Sequence, residues 1–499
     1  SRKNILIYGS GRAGRQLASS LLHSNEFKLI NFIDDNKGYW EGTIDGYSVI
    51  SPPSIKKVIE TKDIKQLWLA IPNLYGKKRL VMINNLRKFP VHVRTLPSFT
   101  DLIHGKVRFS DLRELDINEL LGRDAVKPDT SLLKKCIFKK TVLITGAGGS
   151  IGSEICRQII NHQPKIVLLI DNSELALYNI HNELQLSIKK QSYEKRNHSL
   201  ILVPLLINIQ DEKRLNDVFR TWQPETVYHT AAFKHVPMVE FNVISGIKNN
   251  VFGTLNCAKI SLKNKVKNFV LISTDKAVRP TSIMGASKRL AEMLIYTLNN
   301  DKENSSTCFS MVRFGNVLGS SGSVIPLFRK QIEAGGPITL TDKRVTRYFM
   351  TATEAAQLVI QAGGMAKGGE VFLLDMGNPV LIYDLARNII KATGLSVKDD
   401  NSPWGDIEIK ITGLRVGEKL YEELLISGDA KKTKNKRILK TNENFLSENK
   451  LNIVLKSLEN LIKKNDVIKI RKLLIENVTG YEPNEDIVDL IATQIEKLK

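Results

Sequence analysis

Short apolar runs alternate with helical patterns twice along this chain. The first round starts at once, with "NILIY", a turn holding Gly9, Gly11 and Gly14, an apolar-periodic stretch, and then "LINFIDD". Runs of that length, bounded by turn residues, predict strands, and the stretches between them predict helices. "QLWLAIP" and "VHVRTLP" extend the set, so residues 1–105 read as a small α/β domain. A polar connector containing Pro128 follows over residues 106–138. A second and stronger series occupies residues 139–430 and includes "KKTVLITGAGGSIGSEICRQII", "KIVLLID", "SLILVPLLIN", "ETVYHTAA", "NFVLISTDK" and "FSMVRFGNV". Apolar runs with so little polar alternation mark strands covered on both faces, which predicts a doubly wound parallel sheet. After about Gly335 the order loosens into segments expected to form a smaller substrate-binding subdomain. Residues 431–499 are basic and then helical, as in "LNIVLKSLENLIKKNDVIKIRKLLIENV".

Composition narrows the class without naming a chemistry. A chain of 499 residues that is 42% hydrophobic and 25% charged is a soluble, multi-domain globular protein. No run approaches the roughly 18 apolar residues of a membrane span, and the start lacks a signal-peptide core. Because the chain opens at Ser1 and enters a strand at once, an upstream segment is expected to be missing. Cys136, Cys156, Cys257 and Cys308 have neither metal-ligand nor disulfide spacing, which points to a reduced cytoplasmic setting and no metal site. The formal charge of +21 suits an anionic ligand or surface as well as it suits plain solvated lysines. Its densest run, "KKTKNKRILK", has no interleaved aromatics, so nucleic acid is not an expected partner.

"TGAGGSIG" places Gly146, Gly149 and Gly152 between a strand and a helix, with Ser150 and Ile151 in the first helical turn. Glycines there let backbone approach a pyrophosphate, and the helix N-terminus offers it amide donors. Asp171 ends the next strand, where a carboxylate can take both ribose hydroxyls. The sequence after it, Asn172 onward, has no Arg to receive a 2'-phosphate, so NAD is favoured over NADP. The expected architecture is two tandem Rossmann-like domains, the second carrying the subdomain and the helical tail. The first Gly motif, followed by Asp34 and Asp35, stays open between a nucleotide or regulatory site and a structural turn.

The strip "STDKAVRPTSIMGASK" holds the chemistry. Thr274, Asp275 and Lys276 follow a strand, at the sheet end where ligands lie. Met284 and Lys288 are four apart and share a helix face, so Lys288 can reach a nicotinamide ribose while residue 284 faces the substrate. Many nicotinamide enzymes have Tyr at that position, and a thioether cannot carry a proton. Either the strip is inert or Asp275 and Lys276 handle the protons, with mutual charge and burial tuning both towards neutrality.

The strings "TGAGGSIGSE", "HTAAFKHVPMVE", "ISTDKAVRPTSIMGASKR", "VRFGNVLGSSGSVIP", "TRYFMT" and "GLRVGEKLYEELL" together resemble the extended short-chain dehydrogenase/reductase family. Within it they are similar to the long, membrane-anchored UDP-N-acetylglucosamine 4,6-dehydratases of bacterial polysaccharide and glycan synthesis. The resemblance runs from about Lys139 to Glu423 and includes Met284; residues 1–105 resemble that family's companion domain. It implies tightly bound NAD and conversion of UDP-N-acetylglucosamine to UDP-2-acetamido-2,6-dideoxy-4-hexulose with retention at carbon 5. It also implies a homo-oligomer whose parent protein sits at the cytoplasmic face of the inner membrane through a missing N-terminal segment, this chain itself being soluble. That elimination needs two proton carriers on the sugar face, so Lys276 is expected to take the carbon 5 proton, Asp275 to protonate the leaving hydroxyl, and Thr274 to bond near the carbon 4 oxygen. Asn208, Ile209, Ala231, Ala232, Lys234 and Lys288 complete the cofactor site, with Asn208 standing where relatives have Asp. Lys234, His235 and Asn250 are expected to line the sugar pocket. Arg313, Asn316, Arg347 and Arg415 are expected at the diphosphate and uridine, and Glu418 at a uridine ribose hydroxyl. The base for the carbon 4 hydroxyl stays open between Lys276 and a water relayed through Thr274 or Lys288. A UDP-sugar 4-epimerase, a carbon-5-inverting dehydratase and a non-catalytic NAD-sensing scaffold are the competing readings.

Overall fold

The computed structural model describes the chain except for residues 1, 23, 72–75, 87–88, 90, 97–112, 115–127, 195–199, 302–305, 321, 394, 401, 426–429, 442, 444 and 498–499. Most of the expected connector therefore lies outside the described residues. The chain divides into two compact units, one of residues 1–126, 327–340 and 383–411, the other of residues 127–326, 341–382 and 412–499.

In the first unit, β1 (Lys3–Tyr8), β2 (Phe27–Ile33), β3 (Thr43–Ile44), β4 (Tyr47–Ile50), β5 (Ile64–Leu69), β6 (His92–Thr95) and β7 (Arg113–Glu114) form one sheet in the order β3-β4-β2-β1-β5-β6-β7. The five inner strands run parallel and the two outer ones pair antiparallel. The run "ILIY" is apolar at consecutive positions because β1 is covered twice. Ile5 and Ile7 pack with Leu17 and Leu21 of the helix Arg12–Leu21, while Leu6 and Tyr8 pack with Ile55 and Ile59 of the helix Ile55–Lys62.

The second unit is built on β8 (Thr141–Thr145), β9 (Ile166–Asp171), β10 (Ile201–Leu206), β11 (Thr226–His229), β12 (Asn268–Ile272) and β13 (Cys308–Arg313). They lie in the order β10-β9-β8-β11-β12-β13, and the sheet continues through the strands Val371–Leu374, Ile438–Thr441 and Lys431–Lys432. Seven strands are parallel and the last two join antiparallel. This is the doubly wound Rossmann order, reversing direction between β8 and β11, and ligands bind such sheets beyond the carboxyl ends at that reversal. Alternation along β8 shows why both faces are apolar. Val142 and Ile144 pack against Ile155 and Ile159 of the helix Ser150–Ile159, and Leu143 shares the opposite layer with Leu215, Phe219, Cys257 and Ala291.

The helix Ile283–Asn299, which carries Lys288, is almost entirely buried. Its apolar face meets the C-terminal helices Glu448–Lys463 and Val467–Asn477 in a third cluster, where Leu451, Leu458, Ile470 and Leu474 pack with Met284, Leu290 and Leu294. Each such leucine contributes about 1.5–3 kcal/mol by leaving water. The tail thus supports the helix behind the candidate chemistry. Among the described residues no helix is long and apolar enough to cross a membrane, and no cluster of His, Cys, Asp and Glu could hold a metal ion.

Candidate active site

β8 ends in a turn that only glycine can make. Gly146 has φ +66°, and a Cβ on it would lie 2.8 Å from the backbone of Ala231. A Cβ on Gly152 would lie 2.0 Å from the Gly146 carbonyl oxygen. Gly149 caps the helix Ser150–Ile159 without any side-chain bond, so Ser150 and Ile151 begin a helix whose first amides belong to the turn. Asp171, at the end of β9, accepts from Gly148 N and Ser173 N, both at 2.9 Å, and so ties the second strand to the turn. Asn172 and Asn208 are placed at the ends of their strands, Asn172 exposed and the Asn208 amide oxygen accepting from Gln210 N at 2.9 Å, and Ile209 is buried where it closes over Gly253. Ala231 and Ala232 follow β11 and are half-buried. The sequence-derived cofactor residues are thus gathered at the carboxyl ends of β8 to β11. The glycine cradle, the helix start and the strand-end carboxylate together fit a dinucleotide.

Beyond β12 the chain enters a turn whose own side chains organise it. Thr274 Oγ1 accepts from Lys276 N and donates to Asp275 Oδ1 at 2.8 Å. Lys276 Nζ donates to the same Asp275 oxygen at 3.0 Å and to Asn316 Oδ1 at 3.3 Å. A second carboxylate, Glu422, stands 3.3 Å from that ammonium. Asp275 is fully buried; its Oδ2 has no hydrogen-bond partner and abuts Gly315, where a Cβ would come within 3.1 Å. Burial pulls the Lys276 pKa down, but Asp275 and Glu422 outweigh it and hold the amine above the ordinary lysine value. The expectation that Asp275 and Lys276 tune each other to neutrality is therefore corrected: two anions on one cation keep Lys276 charged. Lys288 Nζ donates to the Ile272 carbonyl at 2.8 Å, and burial pushes its pKa down to about 8, with Glu292 partly offsetting the shift.

Three expected positions have other work. Met284 does not look out on a substrate; it is 2% exposed and packs among Val239, Ile283 and Leu290. Asn250 is fully buried on the π-helical turn Lys248–Gly253, with its amide taken up by the protein itself. It accepts from Phe233 N at 2.8 Å and donates to Phe233 O and Ser287 Oγ at 3.0 Å each, bracing the loop that bears Lys234 and His235. Arg313 is likewise fully buried and cannot take a diphosphate. Its guanidinium donates to both oxygens of Glu292 and both of Glu443, at 2.6–2.8 Å, and Arg289 shares the same two acids.

Of the remaining substrate candidates, Asn316 is bonded to Lys276 and Arg347 faces its partner Glu422. Lys234 and His235 are exposed, and the His235 ring lies over Gly322. Arg347 donates to Glu418 Oε1 at 3.0 Å and lies 3.8 Å from Glu422 Oε1. Glu418 also accepts from Thr341 Oγ1 and from the backbone N of Arg415, whose residue is exposed. Glu422 was not foreseen from sequence. It sits in "YEELL", where paired acids read as a solvated face, and only the fold brings it to Lys276.

A model described as "Polysaccharide biosynthesis protein" matches residues 142–443. The chain belongs to this family. It is 44% identical over 433 residues to the capsular polysaccharide biosynthesis protein CapD of Staphylococcus aureus, covering 85% of this chain and 69% of that one. It is 30% identical over 294 residues, 58% of this chain and 79% of the relative, to a protein of Campylobacter jejuni named UDP-N-acetylglucosamine 4,6-dehydratase (inverting). Among solved structures it is similar to Pen from Bacillus thuringiensis, with 32% identity and a TM-score of 0.52 over 64% of this chain and 99% of that one.

Proposed function

We propose that this chain is a nucleotide-sugar dehydratase using NAD, converting UDP-N-acetylglucosamine to UDP-2-acetamido-2,6-dideoxy-4-hexulose with retention at carbon 5. One observation carries the reading. The proton-bearing groups Thr274, Asp275 and Lys276 form one bonded cluster beyond β12, whereas position 284, which would carry the proton in an ordinary Tyr/Lys dehydrogenase, is an apolar packing residue. A site without that tyrosine suits chemistry whose demanding proton transfers accompany an elimination. The Campylobacter relative's name supports the substrate class, and the long chain with Met284 is what favours retention over that relative's stated inversion.

NAD, when bound, supplies a reversible redox step, taking hydride from carbon 4 and returning it to carbon 6, so the net redox change is zero. Gly146, Gly149 and Gly152 would hold its diphosphate, and Asp171, whose oxygens keep acceptor capacity beyond two amide bonds, its ribose. Lys288, pinned to Ile272 O, sits where a nicotinamide ribose would need a donor. The carbon 4 hydroxyl would pass its proton to Lys276 or to a water relayed through Thr274 or Lys288, and with carbon 4 a ketone the carbon 5 proton becomes acidic. Lys276 removes it, Asp275 protonates the hydroxyl that leaves carbon 6 as water, and Lys276 returns a proton, exchanged with solvent, to carbon 5 as carbon 6 accepts hydride. The 3.0 Å contact between them offers the route to those states, since moving one proton from Lys276 to Asp275 creates a free amine and a protonated acid together. Arg347 and Arg415 would take the diphosphate, and Lys234 and His235 the sugar.

Incubation of the purified chain with NAD and UDP-N-acetylglucosamine in deuterated water, followed by product NMR, tests this. A new methyl group with deuterium at carbon 5 is expected, and couplings of product made in ordinary water give the configuration. An intact carbon 6 hydroxymethyl would indicate epimerisation, and no conversion with cofactor bound would indicate a scaffold.

A further inference from the structure

We propose that Glu422 is a positioning residue for Lys276: with Asp275 it cradles the ammonium from two sides and sets the pH at which that amine becomes free to accept a proton. The Glu422 side chain is only 2% exposed, and its Oε1 lies 3.3 Å from Lys276 Nζ. Its Oε2 is buried without a hydrogen-bond partner. A carboxylate withdrawn from water that far is expensive unless a cation faces it. Two do, Lys276 and, at 3.8 Å, Arg347. The charged groups around Lys276 are Asp275 on its own turn, Arg347 on the strand Thr346–Arg347, and Glu422 and Lys419 on the segment after Gly417. Glu418 and Glu423 on that segment are engaged by Arg347 and Arg279 respectively.

The arrangement separates two roles that a single carboxylate would have to combine. A proton passing from Lys276 to Asp275 leaves Glu422 still charged and still opposite Arg347, so the neutral pair forms without stranding a buried cation. The purpose of the cradle rests on the dehydratase reading, but its existence is tested without substrate. The full-length chain is labelled with acetic anhydride across an alkaline pH series, and acetylation of Lys276 is followed by mass spectrometry. Glu422→Gln is expected to lower the midpoint for Lys276 by about one pH unit or more, the size of effect a nearby opposite charge exerts. At a fixed pH below the wild-type midpoint, labelling then rises about tenfold per unit. Glu422→Asp restores most of the shift, and Glu423→Gln next door leaves the midpoint alone. In turnover the pair works with one shared proton, so Glu422→Gln moves the alkaline limb of kcat/KM, where that proton is lost, to lower pH. An unmoved midpoint overturns the proposal, as does labelling that rises equally at every pH, which would report mere exposure. A shifted midpoint in a protein that fails to dehydrate UDP-N-acetylglucosamine upholds the cradle and defeats the functional reading instead.

Discussion

Replacing Glu443 by Ala removes one of two carboxylates that serve Arg289 and Arg313. All four side chains of this group are at most 5% exposed. In the intact protein Arg313 divides its donors between Glu292 (2.6 Å from Nε and from Nη2) and Glu443 (2.6 Å from Nη1, 2.8 Å from Nη2). After the change two buried guanidinium groups share a single anion, and truncating one partner of a buried ionic set costs about 3–5 kcal/mol. Glu423→Ala is the internal reference. It breaks the 2.8 Å pair with Arg279, whose partners are 53% and 44% exposed, and exposed pairs contribute about 0.2–1 kcal/mol. Hydrogen exchange followed on peptides from β13, with and without urea, reports this unit without assuming that both units unfold together. The opening free energy is expected to fall several-fold more for Glu443→Ala than for Glu423→Ala. The effect has a pH signature. Burial opposes charge on Glu292, but Arg313 and Arg289 hold its folded pKa at about 2, below the usual unfolded value. A depressed carboxylate stabilises above its unfolded pKa, and that contribution fades as pH falls from about 4.3 towards 2. Equal destabilisation by the two substitutions would refute the reasoning and return Arg313 to the candidates for phosphate binding.

Lys276→Ala and Asp275→Asn are each expected to abolish formation of the 4-keto product while bound nicotinamide, read by absorbance after denaturation, stays at the wild-type level; turnover near normal in either removes these proton roles. Gly152→Ala drives a Cβ to 2.0 Å from the Gly146 carbonyl, so the turn must shift, and copurified or titrated NAD is expected to fall sharply with the rest of the sheet intact by circular dichroism. Lys288 titrates at about 8 when folded, below its unfolded value of about 10.4, so the unfolded chain binds more protons between those limits. Stability relative to Lys288→Met should therefore rise with pH from 8 towards 10.4, by at most about 3 kcal/mol, and a flat difference across that window would contradict the buried amine.

The second sheet was legible because its strands carry their own signal. "TVLIT", "IVLLID" and "NFVLI" are apolar at consecutive positions, which happens only when both faces are covered, and each is a central strand. The cofactor turn was legible for the same local reason, since Gly146 and Gly152 are demanded by contacts made within the turn and with the strand beside it. The Thr274–Asp275–Lys276 cluster was legible because its bonds run between sequence neighbours. What failed was any assignment that depended on a distant partner or on depth. Asn250 and Met284 belong to the right helices, but burial turns both inward, one to brace a loop and one to fill a core.

Arg313 and Glu422 are mirror cases of that failure, and the physics that hid them also says how each could have been found. Arg313 closes "CFSMVR", a strand that runs between two others in the sheet, where its neighbours Met311 and Val312 are fully buried. A guanidinium at such a position needs carboxylates within the fold, and Glu292 stands four residues beyond Lys288 on the adjoining helix, one turn past the end of "STDKAVRPTSIMGASK". Once the depth of that strand is known, the obligatory partner removes Arg313 from the phosphate site. Glu422 gives no such warning, because an acid in "EKLYEEL" satisfies every expectation of a solvated face. Its depth follows from the chain crossing back over Lys276 after Gly417, whose φ of +71° and close approach to Ser282 turn the segment towards the cluster. A side chain introduced at Gly417 would press on Ser282, where a Cβ already reaches 2.7 Å, and lift Glu422 away. Gly417→Ala should therefore reproduce the lowered Lys276 midpoint of Glu422→Gln with every charged residue still present.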